Sequence, residues 1–176
     1  MTARTSSPSR AKSADKMDGA ILKRRDGLEM GDNAGSEKND KMSTRGSSST
    51  MPVNRYSIKV DPTPFYLADQ SDPANNVYTF AYHISITNDG EASVQLVSRH
   101  WIITDGNNRV EEVRGAGVIG KQPTLAPGES FEYTSGSQFK TPVGTMHGSY
   151  QFVAEDGVKF DAPIPRFTLS AKRVLH

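Results

Sequence analysis

Residues 114–121 read R-G-A-G-V-I-G-K, with Gly115, Gly117 and Gly120 in the spacing G-x-G-x-x-G between two cations, Arg114 and Lys121. That spacing serves where a backbone must approach a pyrophosphate closely and a helix N-terminus beyond the loop supplies N–H groups and dipole. Here Pro123 and Pro127 follow where the helix would have to be, and Gln122-Pro123-Thr124-Leu125 has no 3.6-residue period. A weaker chemistry survives: successive loop N–H groups can form an anion nest, with Arg114 and Lys121 adding charge. The alternative is structural, a glycine loop joining two layers at close approach. Arg114, Gly115, Gly117, Gly120 and Lys121 are therefore the candidate anion-binding set, and a phosphate-bearing small molecule is the ligand they would take.

Other chemistries have less to work with. There is no cysteine, which excludes disulfides, thiolate nucleophiles and Cys-ligated zinc. No Ser lies in a G-x-S-x-G. The histidines are His83, His100, His147 and His176. If Asp89-Gly90 closes a two-residue hairpin, His83 opposes Leu96 and His100 lies four residues further, roughly 13 Å along the strand. That is too far to share a metal. Asp105-Gly106-Asn107-Asn108 lacks the spacing and closing Glu of a calcium loop. The residues predict no enzyme, no dedicated metal site and no cofactor.

The elements that must position these residues follow a period of two. In 77–87, Tyr78, Phe80, Tyr82, Ile84 and Ile86 alternate with Thr79, Ala81, His83, Ser85 and Thr87, the pattern of a strand with one apolar face. Asn88-Asp89-Gly90-Glu91 reads as a type I′ hairpin, and 94–104 as the return strand. Its apolar phase slips from Val94 and Leu96 to Val97, Trp101 and Ile103, which predicts a bulge near Val97–Ser98 or a strand covered on both faces. Trp101 reads as core, with an interface anchor as the alternative. A polar strand follows at 109–113, then a type II turn at Ala126-Pro127-Gly128-Glu129. Strands are expected at 130–139 and 145–153, and Asp156-Gly157 predicts a hairpin to 158–161. Ala162-Pro163-Ile164-Pro165 cannot lie in a central strand, and 166–171 closes the fold. The first strand is expected at 55–60, before Pro62 and Pro64. About eight short strands without helices must cover one another, which predicts an all-β, antiparallel two-sheet sandwich; a small barrel is the alternative.

Composition divides the chain. Residues 1–50 contain no Phe, Tyr or Trp and cannot offset the entropy of ordering, so 1–52 reads as a disordered extension and 53–176 as the domain. The net charge of +1 divides into +3 over 1–50 and −2 over the rest. No domain-wide positive field exists to hold nucleic acid or an anionic membrane. No apolar run is long enough to span a bilayer, and no signal peptide is evident. A cytoplasmic protein is expected.

Residues 56–176 closely resemble the bacterial ApaG proteins. The matching words are V-Y-T-F-A-Y-H-I-S-I-T-N (77–88), V-Q-L-V-S-R-H-W-I-I-T-D-G (94–106), V-R-G-A-G-V-I-G-K-Q-P-T-L-A-P-G-E-S-F-E-Y-T-S-G (113–136), T-P-V-G-T-M-H-G-S-Y (141–150) and I-P-R-F-T-L-S (164–170). Typical members begin near Tyr56, so the first fifty or so residues lie outside the resemblance. What the resemblance implies is an immunoglobulin- or fibronectin type III-like sandwich. It also implies an association with cobalt and magnesium homeostasis, and kinship with domains of eukaryotic proteins that look like protein-binding modules. The expectation is a non-catalytic module for a protein partner, with polyphosphate binding through 114–121 as the alternative.

Overall fold

The computed structural model describes residues 54–172; the extension expected over 1–52 and the last residues, including His176, lie outside them. The described chain is all-β: β1 (Ile58–Tyr66), β2 (Tyr78–Asn88), β3 (Val94–Asp105), β4 (Val110–Ala116), β5 (Thr124–Leu125), β6 (Ser130–Phe139), β7 (Val143–Ala154) and β8 (Lys159–Ser170). One sheet is ordered β1-β2-β6. The other is ordered β4-β3-β7-β8, with β5 also pairing β3. All pairings are antiparallel.

The period-two reading of β2 holds. Phe80, Tyr82, Ile84 and Ile86 are buried in the core with Phe131 and Tyr133 of β6, Leu96, Trp101 and Ile103 of β3, Tyr150 and Phe152 of β7, and Phe167 and Leu169 of β8. Trp101 is a core residue, edge-on to Tyr150 and Phe167 at 6.2 and 6.1 Å. Thr79, expected on the outer face, is buried as well. Its hydroxyl donates to Gln70 O and its N–H to the Ser71 hydroxyl, because a single 3-10 turn at Ala68–Gln70 folds over it. The bulge in β3 is real: Leu96 pairs with Phe152 and Ser98 with Gln151, leaving Val97 unopposed.

Three expectations are corrected. Asp89-Gly90 is not a hairpin between β2 and β3, which lie in different sheets. Asn88 is instead fully buried, its Nδ2 donating to Ala92 O (2.8 Å) and Leu125 O (2.9 Å) while its Oδ1 accepts from Gly90 N–H (2.9 Å). The chain crosses from one layer to the other around that amide. The first strand does not stop at Pro62; it continues to Tyr66 as an edge strand. The strands expected at 158–161 and 166–171 are one, β8, which runs through Pro163 and Pro165, with Pro165 in a bulge between the Gly148–Ile164 and Met146–Phe167 pairs; β8 is the opposite sheet's edge, so 162–165 is not central, as expected. Edges and bulges are where a strand tolerates a missing donor.

The two long sides of the sandwich differ. β1 and β8 lie close against each other and seal one side; β6 and β4, at the other, make no comparable approach.

Candidate functional site

The glycine-rich run begins as strand and ends as a turn. Arg114, Gly115 and Ala116 belong to β4, paired with His100, Arg99 and Ser98. Gly117 has φ +58° and donates its N–H to Val97 O (2.8 Å), so the loop is tied to the β3 bulge. A Cβ on Gly117 would lie 2.2 Å from Lys121 O. Val118 and Lys121 exchange both backbone bonds, 2.8 and 2.9 Å, around Ile119 (φ +43°) and Gly120 (φ +73°). Two successive positive φ values are the signature of a type I′ turn. Ile119 is a β-branched residue held there against its preference; its side chain packs against the core.

The candidate residues are thus brought into one segment but not into one concave site. Gly117, Val118 and Lys121 have spent their N–H groups inside the protein. Gly115 is a contact surface, with the Arg99 guanidinium 2.9–3.1 Å from where its Cβ would be. Arg99 Nη1 donates to Ala116 O (3.1 Å) and Gly117 O (2.8 Å) and so pins the loop from the interior side. Arg114 is exposed and pairs at 3.6 Å with Glu112, which also accepts from His100 at 2.9 Å. The His100 hydrogen bond is the main reason the Glu112 carboxyl is held below its ordinary range. Lys121 is exposed.

Sequence reasoning missed two further groupings. Beneath β6 the hydroxyls of Tyr133 and Tyr150 meet at 2.5 Å, both buried. Burial pushes both phenols above their ordinary range, and Tyr82 with them. Their alternation marks them as core, but nothing in the sequence pairs one hydroxyl with the other. The second grouping is the outer face of the β4-β3-β7-β8 sheet. There Ile102 stands between Glu112 and His147, and His100 between Arg114 and Ser149. Arg166, in the β8 bulge, donates to His147 Nε2 at 3.3 Å. Ile102 is half-buried and Arg166 exposed. Only the registers, which a single sequence does not reveal, bring these residues into rows. His83, in the other sheet, is bonded to Thr134 (3.0 Å).

Among the described residues no three His, Asp or Glu side chains are grouped so as to hold a metal ion. No helix among them is long and apolar enough to cross a membrane.

The ApaG domain model matches residues 68–154. Protein ApaG of Dechloromonas aromatica is 63% identical over 124 residues, covering 70% of this chain and 98% of that protein. Protein ApaG of Aromatoleum aromaticum is 60% identical over 122 residues, covering 69% and 96%. A crystal structure of an ApaA protein from Bordetella pertussis shares 54% identity with a TM-score of 0.68, covering 70% of this chain and 100% of that one.

Proposed function

Because the chain belongs to the ApaG domain family and carries an N-terminal extension besides, we propose that its sandwich is a non-catalytic protein-binding module. The observation that carries this reading is the outer face of the β4-β3-β7-β8 sheet. It sets an aliphatic side chain, Ile102, among His100, His147, Arg114 and Arg166, with no element covering it among the described residues. Protein interfaces use that composition, an apolar centre with arginine around it. We attribute the family's association with cobalt and magnesium homeostasis to a protein partner, not to ion binding by this chain, and take the cytoplasm as its compartment.

Polyphosphate binding through Arg114, Gly115, Gly117, Gly120 and Lys121 is the second reading. The solvent-exposed Arg114 and Lys121 support it; the spent N–H groups of Gly117, Val118 and Lys121 weigh against it.

One thermal-denaturation panel separates the two, with ATP, a diadenosine polyphosphate, pyrophosphate, Mg²⁺ and Co²⁺ as probes. A ligand at a hundred times its dissociation constant adds roughly 2.7 kcal/mol. The interaction reading expects no shift with any probe. It also expects Ile102→Asp to abolish specific cross-linking to cellular proteins while Arg114→Ala with Lys121→Ala, on the loop, largely preserves it. A polyphosphate shift lost in that double variant would reverse the ranking.

A further inference from the structure

The outer face of the β4-β3-β7-β8 sheet carries a charge pattern that selects what can cover it. His147 of β7 stands between Ile102 of β3 and the bulge of β8 that holds Arg166. A guanidinium has donors and no lone pair to offer. In the contact between Arg166 Nη2 and His147 Nε2 the ring nitrogen is therefore the acceptor, and it brings no negative charge. Arg166 is exposed, and no carboxylate among the described residues lies at ion-pair distance from it. The opposite flank is different. Glu112, beside Ile102 on β4, accepts from His100 at 2.9 Å and lies 3.6 Å from Arg114, so that flank supplies its own counter-charge. On β8 itself the outward carboxylate is Asp161, opposite Gln151, roughly 16 Å along the strand from Arg166. The face thus has an aliphatic centre, one compensated flank and one cation without a counter-charge.

That pattern weighs against three occupants. In a second copy of the domain the carboxylate next to Ile102 is Glu112, already held by His100 and Arg114. The chain's own extension carries +3 over 1–50, with Lys23, Arg24 and Arg25 directly after its aliphatic pair Ile21 and Leu22. Nucleic acid needs a broad positive field, and the rest of the chain carries −2. What complements the face is an aliphatic side chain with a carboxylate to one side of it. We propose that this face takes an acidic segment of a partner protein, with an aliphatic side chain packed on Ile102 and an Asp or Glu carboxylate paired with Arg166. The proposal rests on the reading of this face as a protein-binding surface and adds the chemistry of what binds there. From β3 to β8 is two strand spacings, about 10 Å, so the acid falls about three residues from the aliphatic in an extended segment laid across the strands. A guanidinium donates two parallel N–H···O bonds to a carboxylate, which fixes the register of the segment.

The probe is a random heptapeptide display library selected on the full chain, with enriched peptides then synthesised and titrated by amide NMR. The expected result is enrichment of peptides with Asp or Glu about three positions from Leu, Ile or Val, with shifts centred on the Ile102, His147 and Arg166 amides. Binding weakens as salt is raised. Arg166→Gln weakens it about tenfold or more. Arg166→Glu reverses the preference, so that the same peptide binds once its acid is exchanged for Lys. Two results overturn the acidic class while leaving the surface reading in place: enriched peptides that carry no acid yet are lost in Ile102→Asp, and peptides that Arg166→Gln and Arg166→Glu bind as the wild type does. An empty selection, or peptides that shift only residues off this face, overturns both readings. Concentration-dependent dimers that protect the Ile102 and His147 amides would assign the face to a second copy. Shifts of those amides on removing 1–53 would assign it to the extension. Either outcome overturns the partner assignment.

Discussion

The two long sides of this sandwich handle the same problem in opposite ways. On the β1–β8 side two edge strands approach each other, and each carries two prolines at alternate positions: Pro62 and Pro64, Pro163 and Pro165. On the β6–β4 side the strands stay apart, neither carries a proline, and the connection after β4 turns Val118 and Ile119 into the core instead. The contrast separates a side where two proline-bearing edges meet from one closed by a loop, and it can be broken from either direction.

The largest effect is expected at the residue that joins the two sides. Phe80 is fully buried, with its ring 5.3 Å from Tyr66 of β1 and 5.7 Å from Phe139 of β6. Phe80→Ala should cost about 3–5 kcal/mol in a denaturant titration. A loss near 1 kcal/mol would mean that the two sides are stabilised independently of each other. Next comes the loop beside the open side. Gly117→Val must place a Cβ against the Lys121 carbonyl at a positive φ, and should cost about 2–4 kcal/mol. A near-neutral result would show that this turn relaxes freely, and would remove the structural reading of its glycines.

A third prediction asks whether water reaches the interior from the open side. Burial raises the Tyr133 and Tyr150 phenols, and Tyr82 with them, above the unfolded value of about 10. The stabilisation is present below that value and is lost as pH rises, because the unfolded chain releases its phenolic protons first. Stability should fall above about pH 10, by up to about 1.4 kcal/mol per pH unit per tyrosine. Ultraviolet titration should find these three ionising only as the protein unfolds, and Tyr133→Phe with Tyr150→Phe should flatten the alkaline limb. Ordinary ionisation of Tyr133 in the folded state would show that the β6–β4 gap is wet to its base.

The central strands were the most legible part of the sequence. Alternation along 77–88 placed Phe80, Tyr82, Ile84 and Ile86 on one face because strand periodicity needs no partner to be seen. The slip at Val97 announced its bulge for the same reason. What failed was pairing. Asp89-Gly90 has the composition of a hairpin, yet the buried Asn88 amide bonds Ala92 and Leu125 and turns the chain into the other layer. Composition records which φ a residue tolerates, not which sheet its neighbours join. The candidate site suffered likewise. Gly115, Gly117 and Gly120 do share one short segment, but they serve a strand contact with Arg99, a close approach to Lys121 and a turn. The outer-face rows depend on register and strand order, which a single sequence does not encode visibly.

The smallest effect on stability should come from making the guarded side resemble the bare one. Pro62 and Pro64 are partly buried in β1, and their rings take the place of outward N–H groups, so Pro62→Thr with Pro64→Thr removes no hydrogen bond to β2. The stability cost should stay within about 0.4–1 kcal/mol per site, arising from the looser unfolded chain. The larger consequence is colloidal, because the variant now has an edge whose N–H groups are free to pair. Sedimentation velocity should find concentration-dependent oligomers in the variant under conditions where the wild-type chain is monomeric, and adding a lysine at Thr63, on the same strand, should suppress them. Oligomers in neither protein would mean that contact with β8 guards the β1 edge without the prolines.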